Sequence, residues 1–329
     1  MPNLNTNVGV LLIGLETTEN VDPALVAANA VLPLEPVMPD YDYAFKHARD
    51  KLVVGAAIQS SPPLTPKGMM ATRQNTFHLR GTKDGLKYQA SDLPELDALF
   101  QSAGFAQTLS TGVGTEKVVY TPAATGLKSH AEYYYSDGRL YKMLAAKSDL
   151  DFAFDAGGPV MVTAKRTGLG AVPTDAGVLA SPVFGTALPP IAENVGLTIT
   201  PSGSGAFAAG IIRKWSNNTG NQIKQRANAN VSGGLAPHKV RERKFAWSVV
   251  LETELGATID WETIRFNRTP CALTFAFGPQ YGKYHWIAPN CIVEMVKYTD
   301  DNGTQITTLS GGCYDSAYGA NDAVSHSFE

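Results

Sequence analysis

Cysteine is almost absent, at 3 of 329 residues. Three thiols exclude a disulfide framework and fit a reducing compartment. None stands at C-x-x-C spacing, which removes the usual zinc and thiol-redox signatures. Charge is sparse as well. Asp, Glu, Lys and Arg make up 17% of the chain, against roughly 25% in an ordinary soluble domain. Lys plus Arg total 27 and Asp plus Glu 30, for a net charge of -3. The bulk positive charge that grips nucleic acid or an anionic membrane is therefore missing. Long apolar runs are missing too. The longest near the start, Val8 to Leu15, is about half of the ~18 residues a span needs. No basic stretch precedes it, as one would in a signal peptide. These absences predict a protein that folds in a cytoplasm, with a surface largely covered by other subunits. Glycine is plentiful at 31 residues, and the 44% hydrophobic content excludes general disorder.

Short alternating runs separated by turn residues predict an all-β protein with short helices. The length is about twice a ~150-residue domain, which predicts two tandem β-barrel or sandwich domains. They are placed at 1–179 and 191–329, with a linker at 180–190 carrying Pro182, Pro189 and Pro190. Val8 to Thr17 reads as the first strand. Residues 18–70 hold Pro23, Pro33, Pro36, Pro39, Pro62, Pro63 and Pro66. Proline fixes φ and removes a donor, so this segment reads mainly as a long loop or arm reaching a neighbouring subunit or ring.

A helix is predicted over 92–103. Asp92 is its N-cap, Glu95 completes a capping box, and Leu93, Leu96, Leu99 and Phe100 form its apolar stripe. Gly104 takes the left-handed C′ position, with Phe105 against Phe100. Residues 128–145 predict a hairpin about Asp137-Gly138, with Tyr134 opposite Tyr141 and Tyr135 opposite Leu140. In the second half strands are expected near 194–200, 206–215, 245–252, 271–277 and 291–298. Asp260 caps a short helix, with Ile259 and Ile264 as a hydrophobic staple. Asp92 lies 45 residues before Asp137, and Asp260 lies 42 before Asn302. That spacing points to tandem duplication.

The search for chemistry yields no catalytic, cofactor-binding or metal site. Histidines at 47, 78, 130, 238, 285 and 326 have no second ligand at metal spacing. Gly112-Val113-Gly114 lacks the third glycine of a dinucleotide fingerprint. Asp300-Asp301-Asn302-Gly303 lacks the alternating acids of a calcium loop and reads as a hairpin turn. The basic run His238, Lys239, Arg241, Arg243 and Lys244 is interrupted by Glu242. It reads as a solvated loop or subunit contact before a nucleic-acid site. Alternation sends Tyr133, Tyr134 and Tyr135 to opposite faces, which favours sheet packing over a sugar platform.

Four stretches follow one another in a telling order. The first is Leu15-Glu16-Thr17-Thr18 with Val31-Leu32-Pro33-Leu34-Glu35. The second is Phe77-His78-Leu79-Arg80-Gly81 with Leu96, Leu99 and Ala103-Gly104-Phe105. Val119-Tyr120-Thr121-Pro122 follows, with the hairpin from Tyr133 to Leu144. The fourth is Thr167-Gly168-Leu169-Gly170 with Ala171-Val172-Pro173-Thr174-Asp175-Ala176. This order, over 15–176, resembles the tail tube (major tail) proteins of long-tailed bacteriophages. The second half matches only in layout, and Pro36 to Met70 departs from the pattern.

The resemblance implies two tail-tube-like β domains and a structural virion protein, not an enzyme, with no cofactor or metal. Its barrels would join into rings that stack into a hollow tail tube for DNA delivery. The implied partners are the chain itself and other tail proteins, such as the tape measure and tail terminator. DNA would pass through the lumen without specific binding, and no membrane is involved. The place would be the virion tail, after assembly in the host cytoplasm. Six barrels per ring would need three two-barrel chains with approximate six-fold symmetry, the alternative being a hexamer. Two readings from other classes stay open. One is a phage adhesin or decoration protein, the other a carbohydrate-active or esterase-like β-domain enzyme.

Overall fold

Alternating apolar residues build long antiparallel strands whose inward side chains meet in one core, as Leu150, Phe152 and Phe154 do. The computed structural model describes residues 9–35, 40–47 and 64–329 except positions 137, 178, 209, 232, 233, 255 and 257. For 41–47 and 64–68 it describes the backbone alone. Asp137, and residues 36–39 and 48–63 of the expected arm, thus lie outside the described residues. The protein is all-β with two short helices.

The first half contains β1 (Gly9–Leu15), β2 (Ala30–Val31), β3 (Asp40–His47), β4 (Leu64–His78), α1 (Asp97–Ser102), β5 (Phe105–Ser110), β6 (Lys117–Pro122), β7 (His130–Ser136), β8 (Arg139–Asp155), β9 (Met161–Gly170) and β10 (Thr174–Asp175). Antiparallel pairing gives the order β3–β4–β9–β8–β7–β1–β2. The second half contains β11 (Thr198–Pro201), β12 (Phe207–Ala208), β13 (Ile212–Asn218), β14 (Gln222–Ala227), β15 (Leu235–Glu242), β16 (Ala246–Glu252), α2 (Trp261–Phe266), β17 (Cys271–Phe277), β18 (Tyr284–Asp301), β19 (Thr304–Cys313) and β20 (Ser325–Phe328). Its order is β13–β16–β19–β18–β17–β11–β12.

The two orders match strand for strand, and each helix leads from the β4-type strand towards the β7-type strand. β5 and β6 are an extra hairpin after α1. The β14–β15 hairpin occupies the interval that 48–63 occupies in the first half. A shared detail fixes the alignment. β8 bulges between Leu144 and Lys147, and β18 between Val293 and Met295. Gly168 faces the first bulge and Gly311 the second. A Cβ on Gly168 would sit 2.7 Å from the Leu144 carbonyl oxygen, and one on Gly311 would collide with that of Ile292. From each bulge the ladder runs without a break to the end of the pairing, Lys147–Ala153 in one half and Met295–Asp301 in the other.

The halves are stitched along two seams. β13 pairs with the free edge of β8, and β20 lies between β18 and β6. One apolar core runs through both. Phe154 stacks on Trp215 at 5.5 Å, and His326 and Phe328 of the last strand pack on Phe100. The 180–190 segment is tied down rather than loose: the amides of Thr186 and Ala187 donate to the Lys83 carbonyl.

Several expectations need correction. The first helix starts at Asp97, not Asp92, and Leu96 is its N-cap without a side-chain bond. Asp92 instead exchanges backbone bonds with Gln89, and the Glu95 carboxylate is taken by Arg80. Among its described residues the 18–70 segment holds strands as well as loop. It carries β2, β3 and the start of β4, and Pro66 is accommodated opposite Phe45 on a strand with one partner there. The second strand of the hairpin, β8, runs on through Leu150, Phe152 and Phe154 to Asp155. The second helix forms where expected, with the Thr263 amide donating to Asp260 Oδ1 at 3.0 Å. Tyr134 faces Tyr141 and Tyr135 faces Leu140, as the turn register demands.

Candidate functional site

Among the described residues, no group of His, Cys, Asp and Glu side chains could hold a metal. One cluster of titratable groups is sealed from solvent. Glu132 on β7 accepts a hydrogen bond from Arg73 Nη1 of β4 at 2.5 Å and forms an ion pair with Arg166 Nη1 of β9 at 2.8 Å, with all three side chains buried. Arg73 also lies over the Tyr134 ring, and Arg166 bonds Asn75. Burial alone would raise the Glu132 carboxyl, but the two guanidinium groups outweigh it and hold it below its usual range. Burial pushes Arg166 down to about 10 and neighbouring His130 down to about 3. These side chains face one another inside the sheet rather than solvent.

Further buried polar groups, some of them among the histidines and cysteines noted in the sequence, also find partners within the chain. Asp97 accepts from Tyr120 Oη and Gln101 inside the core. His326 is wholly buried, pushed down to about 3, and shares a 2.7 Å bond with Tyr284 Oη. Cys271, Cys291 and Cys313 stand side by side across β17, β18 and β19. Burial raises Cys271 to about 11 and Cys291 further still, the opposite of a reactive thiol. Within the basic run, Arg243 reaches into the first half and donates to the carbonyls of Gly104 and Ala123. His238 is buried, while Lys239, Arg241 and Lys244 face solvent. Tyr133 and Tyr134 pack on opposite sides of a sheet covered on both faces.

What remains open is a pair of strand edges. Where the halves join, Lys214, Trp215, Ser216, Asn217 and Asn218 of β13 pair with Asp155, Phe154, Ala153, Phe152 and Asp151 of β8. Side chains reinforce this seam. Asn218 bonds Asp151, Thr219 Oγ1 bonds Asp149, and Lys214 pairs with Asp155 at 3.2 Å. Asn221 reaches past the strand to the carbonyls of Ala103 and Ser148, filling the notch beside the end of α1.

The counterpart of β8 is β18. Among the described residues, its edge facing away from β19 pairs only as far as Cys291. Beyond it, Met295 and Tyr298 are 45% and 43% exposed. Leu150, which matches Tyr298 by the bulge alignment, is fully buried under the joint. Beside α2 an open cleft, lined by Arg265, Phe266, Arg268, Glu294 and Tyr314, takes the place of the filled notch beside α1. Phe266 in that cleft is 86% exposed. The counterpart of β13 is β3, which among the described residues pairs with β4 alone. Among the described residues the chain therefore shows one completed joint and one unpaired half of each kind. Sequence reading missed these edges, because nothing in a strand's composition says whether its second edge has a partner. β16 and β17, by contrast, have partners on both edges. No protein-family model matches the chain, and no curated protein matches it.

Proposed function

We propose that this chain is a structural virion protein of the tail tube kind. It assembles with itself into rings that stack into the hollow tube of a phage tail, and it catalyses nothing. The observation that carries the reading is the head-to-tail joint between two halves of like topology. A joint of this kind is heterologous: the outer edge of one long strand meets the edge strand of the next unit. Heterologous contacts repeat until they close into a ring or run on as a filament. Open edges are an aggregation hazard that such closure removes.

Three chains, each with two units, would then form a ring of approximate six-fold symmetry, and a ring of six chains is the alternative. Low charge density fits a surface covered on assembly. A net charge of -3 fits a conduit, since a basic lumen would hold DNA through counterion release. The partners in this reading are further copies, a tape measure and a tail terminator, in the virion tail after assembly in the host cytoplasm. As to membranes, no helix among the described residues is long and apolar enough to cross one. Negative-stain microscopy and light scattering of the purified chain test the proposal. Annuli or tubes are expected; a monomer that persists at the highest soluble concentration contradicts it.

A further inference from the structure

The internal joint also specifies how one chain meets the next. Resting on the self-assembly reading above, we infer that the free edge of β18 pairs antiparallel with β3 of a second copy of this chain, in a register copied from the β8–β13 seam.

The register follows from three alignments. Ala153 of β8 matches Asp301 of β18, since each ends the unbroken ladder that starts at the bulge. Thr72 of β4 matches Ser248 of β16, through their partners Thr167 and Ser310 beside the two bulge glycines. Asp40 pairs with Thr72, and Ser216 pairs with Ser248, so Asp40 matches Ser216. Ser216 pairs with Ala153 inside the chain. Asp40 of one copy therefore stands opposite Asp301 of the other, Tyr41 opposite Asp300, Asp42 opposite Thr299, and Tyr43 opposite Tyr298.

The chemistry at these positions suits the arrangement. The Tyr43–Tyr298 pairing would cover an aromatic ring now left in solvent, and cross-strand aromatic pairs stabilise a ladder. Asp301 faces Asp40, but its carboxylate is already held by Arg213, which blunts the like-charge contact.

The chain-to-chain joint is also the lighter of the two. Inside the chain a second seam runs from β18 through β20 to β6. In the first half the β20-type position is taken by the exposed two-residue β10, which pairs with the start of β8. The second half has no hairpin after α2 to match β5–β6. One ladder instead of two makes this contact the one that opens first.

The test is disulfide trapping in the full chain with Asp42→Cys and Thr299→Cys. The Thr219 amide donates to the Leu150 carbonyl, so the neighbouring Asn218–Asp151 position falls between ladder bonds. There Cβ atoms come closest, and Asp42–Thr299 copies it. The native thiols are buried and leave a low background. Mild oxidation should convert most of the double variant into covalent dimers and trimers. Mixing the two single variants should give dimers only. The shifted pair Asp42→Cys with Lys297→Cys, diagonal neighbours ~7–8 Å apart, should give at least about fivefold less product. Rings or tubes by microscopy without trapping at the matched pair would overturn this register and leave the assembly reading intact. A chain that neither traps nor assembles would overturn both.

Discussion

The two halves share a strand order but fill the centre of the sheet in opposite ways. In the first half the inward positions hold Arg73, Glu132 and Arg166. By the bulge register Arg73 and Arg166 match Val249 and Leu309, and counting back from the hairpin ends Glu132 matches Leu273; all three are fully buried. One architecture thus carries an ion cluster in one copy and plain apolar packing in the other. Buried ion pairs often add little net stability, because desolvation offsets the Coulomb gain, yet breaking one strands a charge in the core.

That contrast can be broken directly. Glu132→Leu leaves two buried guanidinium groups facing each other and should destabilise the chain by ~3–5 kcal/mol in denaturant unfolding. The triple variant Arg73→Val, Glu132→Leu, Arg166→Leu copies the second half and should lie between neutral and ~4 kcal/mol more stable. If the triple variant were as unstable as the single one, the cluster would be specifying the first half's fold rather than merely occupying it.

The edges give a second contrast. Leu150→Ala opens a cavity under the completed joint and should cost ~2–5 kcal/mol in the isolated chain. Tyr298→Ala, at the matching open position, should change isolated-chain stability by less than ~0.5 kcal/mol while weakening assembly seen by light scattering. Equal effects on folding would mean that the β18 edge is already covered within the chain.

The two halves each bury a neutral imidazole, His130 in one and His326 in the other, both pushed down to about 3. An unfolded histidine takes its proton near 6.5. Between those values the unfolded state binds more protons, so stability is full above about pH 6.5 and falls as pH drops. Each histidine should contribute a slope of up to ~1.4 kcal/mol per pH unit. His326→Gln should remove one histidine's share of that slope, and an unchanged slope would contradict the assignment. The smallest effect concerns the helices. Asp260→Ala should cost ~1 kcal/mol as a lost cap, whereas Asp92→Ala should fall within ~0.5 kcal/mol, because Asp92 caps nothing.

Legibility in the sequence followed the range of the forces involved. Hairpin registers and the Asp260 cap are local, and turn chemistry announced them. The helix and turn spacing that suggested the repeat is not its trace: Asp92 caps no helix, and the turn at Gly138 joins β7 to β8 whereas Asn302 lies between β18 and β19, so the likeness of the halves lies in their strand order. The first helix was misread because Asp92 and Glu95 satisfy a local rule, yet Gln89 and Arg80 compete for them in the fold. The prolines between Pro36 and Pro66 hid β3 and the start of β4, since proline argues against a strand only where both edges are paired. Arg73, Glu132 and Arg166 lie far apart in sequence and met only through the sheet. The open edges were invisible for the same reason: pairing is a property of neighbours.

The most direct measurement is an averaged cryo-electron-microscopy cross-section of the assembled protein. The account expects six sheet units per ring from three chains, alternating units with an ion-cluster centre and units with an apolar centre, and β3 of each chain laid along residues 297–301 of the next. A ring of six chains with the second halves outside the wall, or a contact that leaves the β18 edge bare, would contradict it.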